Sequence, residues 1–229
     1  MTVHFRAESL GCERDDRPLF TDLNFTFESG QLLWIEGPNG SGKTTLLKIL
    51  SGQFADYQGT LFWKGKPLNR YAQALKSDLL YLGHHSGVKD VLSPLENLEW
   101  YQALGEHNPT TAEALRWQAL EKVGLLGFEE VPVERLSAGQ QRRVALARLH
   151  LETKALWILD EPFTAIDIHG VALLERWIAE HRDNGGAVLV TTHHPLAMDE
   201  RVERIRLDGR GGHTLEHSHS FQRRVGEVH

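Results

Sequence analysis

Gly37-Pro38-Asn39-Gly40-Ser41-Gly42-Lys43-Thr44 fits G-x-x-x-x-G-K-[ST] at every fixed position, and its reading decides the fold. The stretch follows the apolar run Leu32-Leu33-Trp34-Ile35-Glu36 and opens the helical run Thr44-Thr45-Leu46-Leu47-Lys48-Ile49-Leu50. Strand, loop and helix in that order are the context a phosphate loop needs. Glycines let consecutive backbone N–H groups turn inward around a phosphate with no Cβ in the way. The helix adds its positive N-terminal end. Lys43 is placed to bridge the β- and γ-phosphates, and the Thr44 hydroxyl to ligate Mg²⁺, with Thr45 beside it. An ordinary glycine-rich turn would need no lysine–threonine pair.

Around this loop, short apolar runs alternate with helical stretches, which reads as α/β. Strands are expected at 4–9, 24–27, Leu32–Glu36, 60–63, Leu79–Leu82, Leu156–Asp160, 187–192 and 204–207. The runs near 32, 156 and 187 are almost continuously apolar, the mark of central parallel strands buried on both faces. Helix starts are signalled by Ser93-Pro94-Leu95-Glu96, Thr110-Thr111-Ala112-Glu113 and Ser137-Ala138-Gly139-Gln140, all of S/T-x-x-E/Q form. They cluster where no strand is convincing, so about 85–152 reads as a helical subdomain inserted into a core spanning 1–208. Residues 209–229 begin glycine-rich and continue polar and His-rich, and are expected to form a disordered tail.

The 229 residues carry 25 Lys+Arg against 31 Asp+Glu, a formal net charge of −6, with 41% hydrophobic and 24% charged residues. That is an ordinary globular balance with a core large enough to need no staples. The acidic excess argues against nucleic acid as a partner. One cysteine, Cys12, excludes an intramolecular disulfide framework and suits a reducing compartment. The longest apolar run, 155–159, falls far short of the ~20 residues that span a bilayer, and the N-terminus shows no signal-peptide core. If the chain serves a membrane process, another subunit must do the spanning.

Two further segments carry chemistry. Ala155-Leu156-Trp157-Ile158-Leu159-Asp160-Glu161-Pro162 joins a buried strand to two acids. A carboxylate at the end of a parallel strand sits at the sheet edge where α/β folds bind ligands. Asp160 can hold Mg²⁺ directly or through water, and Glu161 can polarise an attacking water as general base. In Leu136-Ser137-Ala138-Gly139-Gln140, Ser137 caps a helix and Gln140 closes the box. An exposed helix N-terminus with Gly139 beside it can also meet a phosphate delivered from elsewhere.

P-loop, L-S-x-G-Q and strand-Asp-Glu together resemble the ATP-binding cassette (ABC) ATPases over about 3–208. The resemblance implies a RecA-like P-loop NTPase core with a small antiparallel β subdomain and an inserted helical subdomain. It implies two cassettes sandwiching two ATP molecules. Lys43, Thr44, Asp160, Glu161 and His193 would come from one chain, and Ser137, Ala138, Gly139 and Gln140 from its partner. Asp167 in Thr164-Ala165-Ile166-Asp167 matches the D-loop, and His193 after Thr191-Thr192 matches the switch histidine that contacts the γ-phosphate. Gly83-His84-His85 stands where the family has a glutamine, and Arg14 where it has an aromatic on the adenine. His213, His217 and His219 read as solvated tail residues rather than metal ligands.

Within the cassettes, Cys12-Glu13-Arg14-Asp15 and the runs 136–149 and 156–167 resemble the ATP-binding subunits of the bacterial cytochrome c maturation (Ccm) system. That implies a peripheral subunit on the cytoplasmic face of the inner membrane, a second copy of itself, and integral Ccm subunits as partners. It would supply ATP energy for haem export or for release of a haem-loaded chaperone. The ATPase of another importer or exporter shares the same motif chemistry. A non-hydrolysing nucleotide switch is disfavoured by the intact Glu161. A DNA-repair ATPase would carry long coiled coils where only about 90 residues separate Thr44 from Leu136.

Overall fold

The apolar runs flanking the glycine-rich loop become neighbouring strands of one sheet. The computed structural model describes residues 4–84, 87–104, 109–151, 153–196, 199 and 201–217. In chain order the elements are β1 (His4–Arg14), β2 (Arg17–Glu28), β3 (Leu32–Glu36), α1 (Lys43–Leu50), β4 (Gln58–Trp63) and β5 (Lys66–Pro67). There follow α2 (Leu68–Asp78), β6 (Leu79–Leu82), α3 (Pro94–Ala103), α4 (Pro109–Lys122), α5 (Ala138–Ala147) and β7 (Leu156–Asp160). The chain continues with α6 (Ile168–Asp183), β8 (Ala187–Thr191), β9 (Val202–Leu207) and β10 (His213–His217).

Six strands form a sheet of order β10-β9-β3-β8-β7-β6. The β9, β3, β8 and β7 strands pair in parallel. Every residue of β7 and β8 is buried, as is β3 from Leu32 to Ile35, which is why these runs lack an alternating polar face. Their register brings the carboxyl ends level: Ile35 lies opposite Thr191, and Thr191 opposite Asp160. Ligands of open α/β sheets bind at that edge.

A second, antiparallel sheet has the order β2-β1-β4-β5. Its strands outrun the expected segments because β1 carries bulges between Ala7 and Glu13 that interrupt the alternation a sequence reading relies on. One core joins the two sheets through α1. It includes Phe5, Phe20, Phe27 and Trp63 from the antiparallel sheet, Leu46, Leu47, Ile49 and Leu50 from α1, and Ile35, Ile158 and Leu189 from the parallel strands. Each such side chain contributes about 2 kcal/mol of transfer free energy. α1 is thereby clamped, and its N-terminus is held at the strand edge.

By its contacts the chain divides into two units: Met1–Tyr81 with Lys154–Pro162 and Trp177–His229, and Leu82–Thr153 with Phe163–Arg176. The second unit differs from the expected insert, 85–152, by taking in Phe163–Arg176. Its core includes Leu98, Leu120, Val123, Val133, Val144 and Leu146. Ser93 and Ser137 form reciprocal capping boxes with Glu96 and Gln140. Thr110 falls inside α4 as its second residue and not ahead of it, since the helix begins at Pro109.

The tail expected from Gly209 onward is corrected over 209–217. β10 pairs antiparallel with β9, from His213 opposite Leu207 to His217 opposite Glu203. Asp208 closes the turn, its Oδ1 accepting from the N–H groups of Arg210 and Gly212 at 2.6 and 2.9 Å. The glycines that looked like flexible composition are turn residues, with Gly209 and Gly211 at φ 74° and 95°. Residues 218–229, with His219, lie outside the described residues, as does His85.

Candidate active site

The loop between β3 and α1 is shaped by close approach. A Cβ on Gly37, at φ +148°, would lie 2.5 Å from the Leu207 carbonyl and 2.6 Å from Ser41 Oγ. Gly42 caps α1 in the left-handed region and gives it no side-chain hydrogen bond. The first N–H groups of α1 therefore have no side-chain acceptor, and a helix end of this kind attracts an anion. Lys43 Nζ donates to the carbonyls of Gly37 and Pro38 at 2.8 and 3.2 Å, so the ammonium is folded along the loop it opens from.

Behind the loop stands Asp160, 2% exposed at the end of β7. Its Oδ2 accepts from Thr44 Oγ1 at 3.0 Å and its Oδ1 from Thr191 Oγ1 at 2.5 Å. A hydroxyl and a carboxylate at this distance are an oxygen-only pair, the donor chemistry of a hard divalent cation. No cluster of three or more His, Cys, Asp or Glu capable of holding a metal occurs among the described residues. Burial first, and then the charge of Asp160, pushes the Tyr81 hydroxyl up to about 12, so it stays protonated.

Glu161 follows in the left-handed region at φ 48°, a costly conformation for a non-glycine residue. It is held there by its N–H, which donates to both the carbonyl and the hydroxyl of Thr191 at 3.0 Å. From this turn its carboxylate reaches the switch position: Glu161 Oε1 lies 3.6 Å from His193 Nε2. A base and an imidazole in this relation can orient a water and share its proton. An adjoining cavity of about 490 Å³ is lined by Lys43, Gly37, Thr192 and His193, and by Glu36, Arg206 and His213 among others.

Known proteins share the sequence and the fold. The family described as ABC transporter matches residues 20–164. The cytochrome c biogenesis ATP-binding export protein CcmA of Pseudomonas putida is 56% identical over 196 residues, covering 86% of this chain and 92% of that protein. Its namesake in Escherichia coli K12 is 49% identical over 202 residues, covering 88% and 95%.

The chain belongs to the ABC transporter family.

It is an ATP-binding cassette and an ATP-hydrolysing enzyme. Solved structures share its fold. An ATP-binding subunit of an ABC transporter superposes with TM-score 0.83 at 21% identity, covering 97% of this chain and 93% of that one. The dimeric, post-hydrolysis cassette MJ0796 bound to ADP and phosphate gives 0.78 at 21% identity, covering 93% and 98%. No helix among the described residues is long and apolar enough to cross a membrane.

Within the first unit the cassette brings together Lys43, Thr44, Asp160, Glu161 and His193. The signature and D-loop residues belong to the second unit. There Ser137 Oγ accepts from Gln140 N at 3.3 Å, and Gln140 Oε1 accepts from Ser137 N at 2.9 Å. A Cβ on Gly139 would press against the Ala165 carbonyl at 3.2 Å, so the glycine permits the D-loop to pass close. Asp167 takes an N–H from Gly170 at 2.7 Å and an ion pair from Arg143 at 2.5 Å, and the two, the first foremost, hold its carboxyl below the usual range. His84 is exposed just past β6, and Arg14 is exposed at the end of β1, 3.7 Å from Asp15.

The sequence reading missed Thr191 as a structural member of the site. A threonine ending an apolar strand was the available signal. It also missed the cavity wall at Gly212, His213 and Thr214, because the composition of that stretch reads as a tail.

Proposed function

We propose that this cassette energises haem export, or the release of a haem-loaded chaperone, during c-type cytochrome biogenesis. It would work as a pair with a second copy, docked to integral Ccm subunits at the cytoplasmic face of a bacterial inner membrane. The support for the process is the name shared by relatives 47–56% identical over most of their length. The support for the chemistry is one observation: Glu161 and His193 face each other at 3.6 Å beside the Thr44–Asp160 pair.

In this reading residues 37–45 cradle the phosphates with backbone N–H groups, and Lys43 leaves its loop carbonyls for the β- and γ-phosphate oxygens. Thr44 and Asp160 would hold Mg²⁺, which when bound neutralises charge between the β- and γ-phosphates. Glu161 accepts a proton from water as that water's oxygen bonds to the γ-phosphorus and the bond to the bridging oxygen of ADP breaks. His193 orients the γ-phosphate and the water. Ser137, Ala138, Gly139 and Gln140 of one copy meet the γ-phosphate of the other through a helix N-terminus, with Asp167 at the shared interface.

The test is genetic and spectroscopic. Deleting the gene from its host should abolish haem-stained c-type cytochromes while b-type cytochromes persist. The wild-type gene should restore them and Lys43→Ala should not. Normal c-type cytochromes in the deletion strain would overturn the assignment.

A further inference from the structure

His193 sits in a short segment past the end of β8, and its side chain is 67% exposed. An exposed imidazole on such a segment has little of its own to hold its direction. The peptide that carries it is nevertheless fastened from behind. Trp34 Nε1 donates to the Thr192 carbonyl at 3.3 Å, and that carbonyl belongs to the Thr192–His193 peptide. One residue later, the N–H of His194 donates to Thr192 Oγ1 at 2.8 Å.

Trp34 is itself clamped. It is 5% exposed, and the guanidinium of Arg204 lies 4.4 Å from its ring centroid. The stacking follows from register, because Trp34 of β3 lies opposite Arg204 of β9 in the parallel pair. Arg204 lies between two carboxylates, its Nε 3.5 Å from Glu36 and its Nη1 3.3 Å from Glu216 of β10. A planar guanidinium over an indole face is a favourable contact, and a buried indole N–H needs an acceptor. The indole is thus stacked against Arg204 on its face while its N–H reaches the Thr192 carbonyl.

We propose that Trp34 is a positioning residue for the switch histidine: its indole N–H fixes the Thr192–His193 peptide, and with it the direction in which His193 faces Glu161. The β9–β10 hairpin takes part through Arg204 and Glu216, and β3 itself through Glu36. This rests on the reading of His193 as a group that acts on the γ-phosphate.

Trp34→Phe tests it, since phenylalanine keeps an aromatic face for Arg204 while the N–H donor is lost, and the split between kcat, KM and melting temperature separates that loss from the smaller ring's packing. Loss of one hydrogen bond that orients a reacting group should lower kcat for ATP hydrolysis roughly fivefold, with KM for ATP unchanged. His193→Ala is measured in parallel and should lose turnover more severely. If Trp34→Phe does not fold, Arg204→Met carries the same test and should lower kcat two- to threefold at constant KM. Wild-type kcat in the Trp34 variant beside a defective His193→Ala would overturn the tether alone. A rise in KM, or a lower melting temperature with kcat intact, would reduce Trp34 to packing and also overturn it. Normal turnover in His193→Ala would instead overturn the reading of the switch histidine.

Discussion

Thr191→Val is the most informative single change at the site. Thr191 is fully buried, and its hydroxyl both donates to Asp160 Oδ1 at 2.5 Å and accepts from Glu161 N at 3.0 Å. Valine keeps the shape and removes both bonds. Asp160 retains Thr44 on its other oxygen, and Glu161 N retains the Thr191 carbonyl, so neither group is left with nothing. The dominant loss is a hydrogen bond to a buried carboxylate, about 2 kcal/mol. For a chain of this size that lowers the melting temperature by roughly 4–8 °C. Turnover should fall as well, by about tenfold, because the left-handed turn that aims Glu161 loses one of its two acceptors. Thr191→Ser is the control: it loses a methyl, about 1 kcal/mol, and keeps the oxygen, so its turnover stays near wild type. Calorimetry and a phosphate-release assay on the two variants suffice. A Thr191→Val protein melting within about 1 °C of wild type, or equal turnover losses in the two variants, would refute the reasoning.

Glu161→Gln should bind ATP normally, lose about 10²–10⁴-fold in steady-state hydrolysis, and accumulate as an ATP-bound dimer on size exclusion. Near-normal turnover would remove Glu161 from the base role. Lys43→Ala should weaken ATP binding by about 10–100-fold in equilibrium titration, since it deletes a charged donor to phosphate; unchanged affinity would contradict the cradle. His150 and His181 are held down to about 4, in both cases chiefly by burial, against the usual 6.5. Both are therefore neutral when folded, while the unfolded chain takes up protons near 6.5. Stability should be full above that pH and fall as pH drops from 6.5 toward 4, and melting curves through that range should flatten in His181→Phe. A pH-independent melting temperature there would count against the burial of these rings.

The legible parts of the site were those written in neighbouring residues. The P-loop, the two serine capping boxes and the acids at the end of β7 depend on groups a few positions apart, so their spacing carries their meaning. The strands Leu32–Glu36 and Leu156–Asp160 matched to the residue, because a run buried on both faces is apolar up to the acid that ends it. The short strand Leu79–Leu82 also matched, but where the strand was bulged, as in β1, the ends were missed.

What the sequence by itself determined, then, was the set of chemical groups and the elements that carry them: Lys43 and Thr44 at a helix start, Asp160 and Glu161 at a strand end, His193 past another. What only the tertiary structure decided was how those groups are aimed. Asp160 meets Thr191 across 31 positions, and Trp34 meets Thr192 across 158. Both meetings depend on which strands become neighbours and in what register, which no local pattern encodes. The hairpin of β9 and β10 makes the same point. Its glycines and polar residues have the composition of a tail, and they become ordered structure because the edge of β9 offers unpaired N–H and C=O groups for a second strand to satisfy.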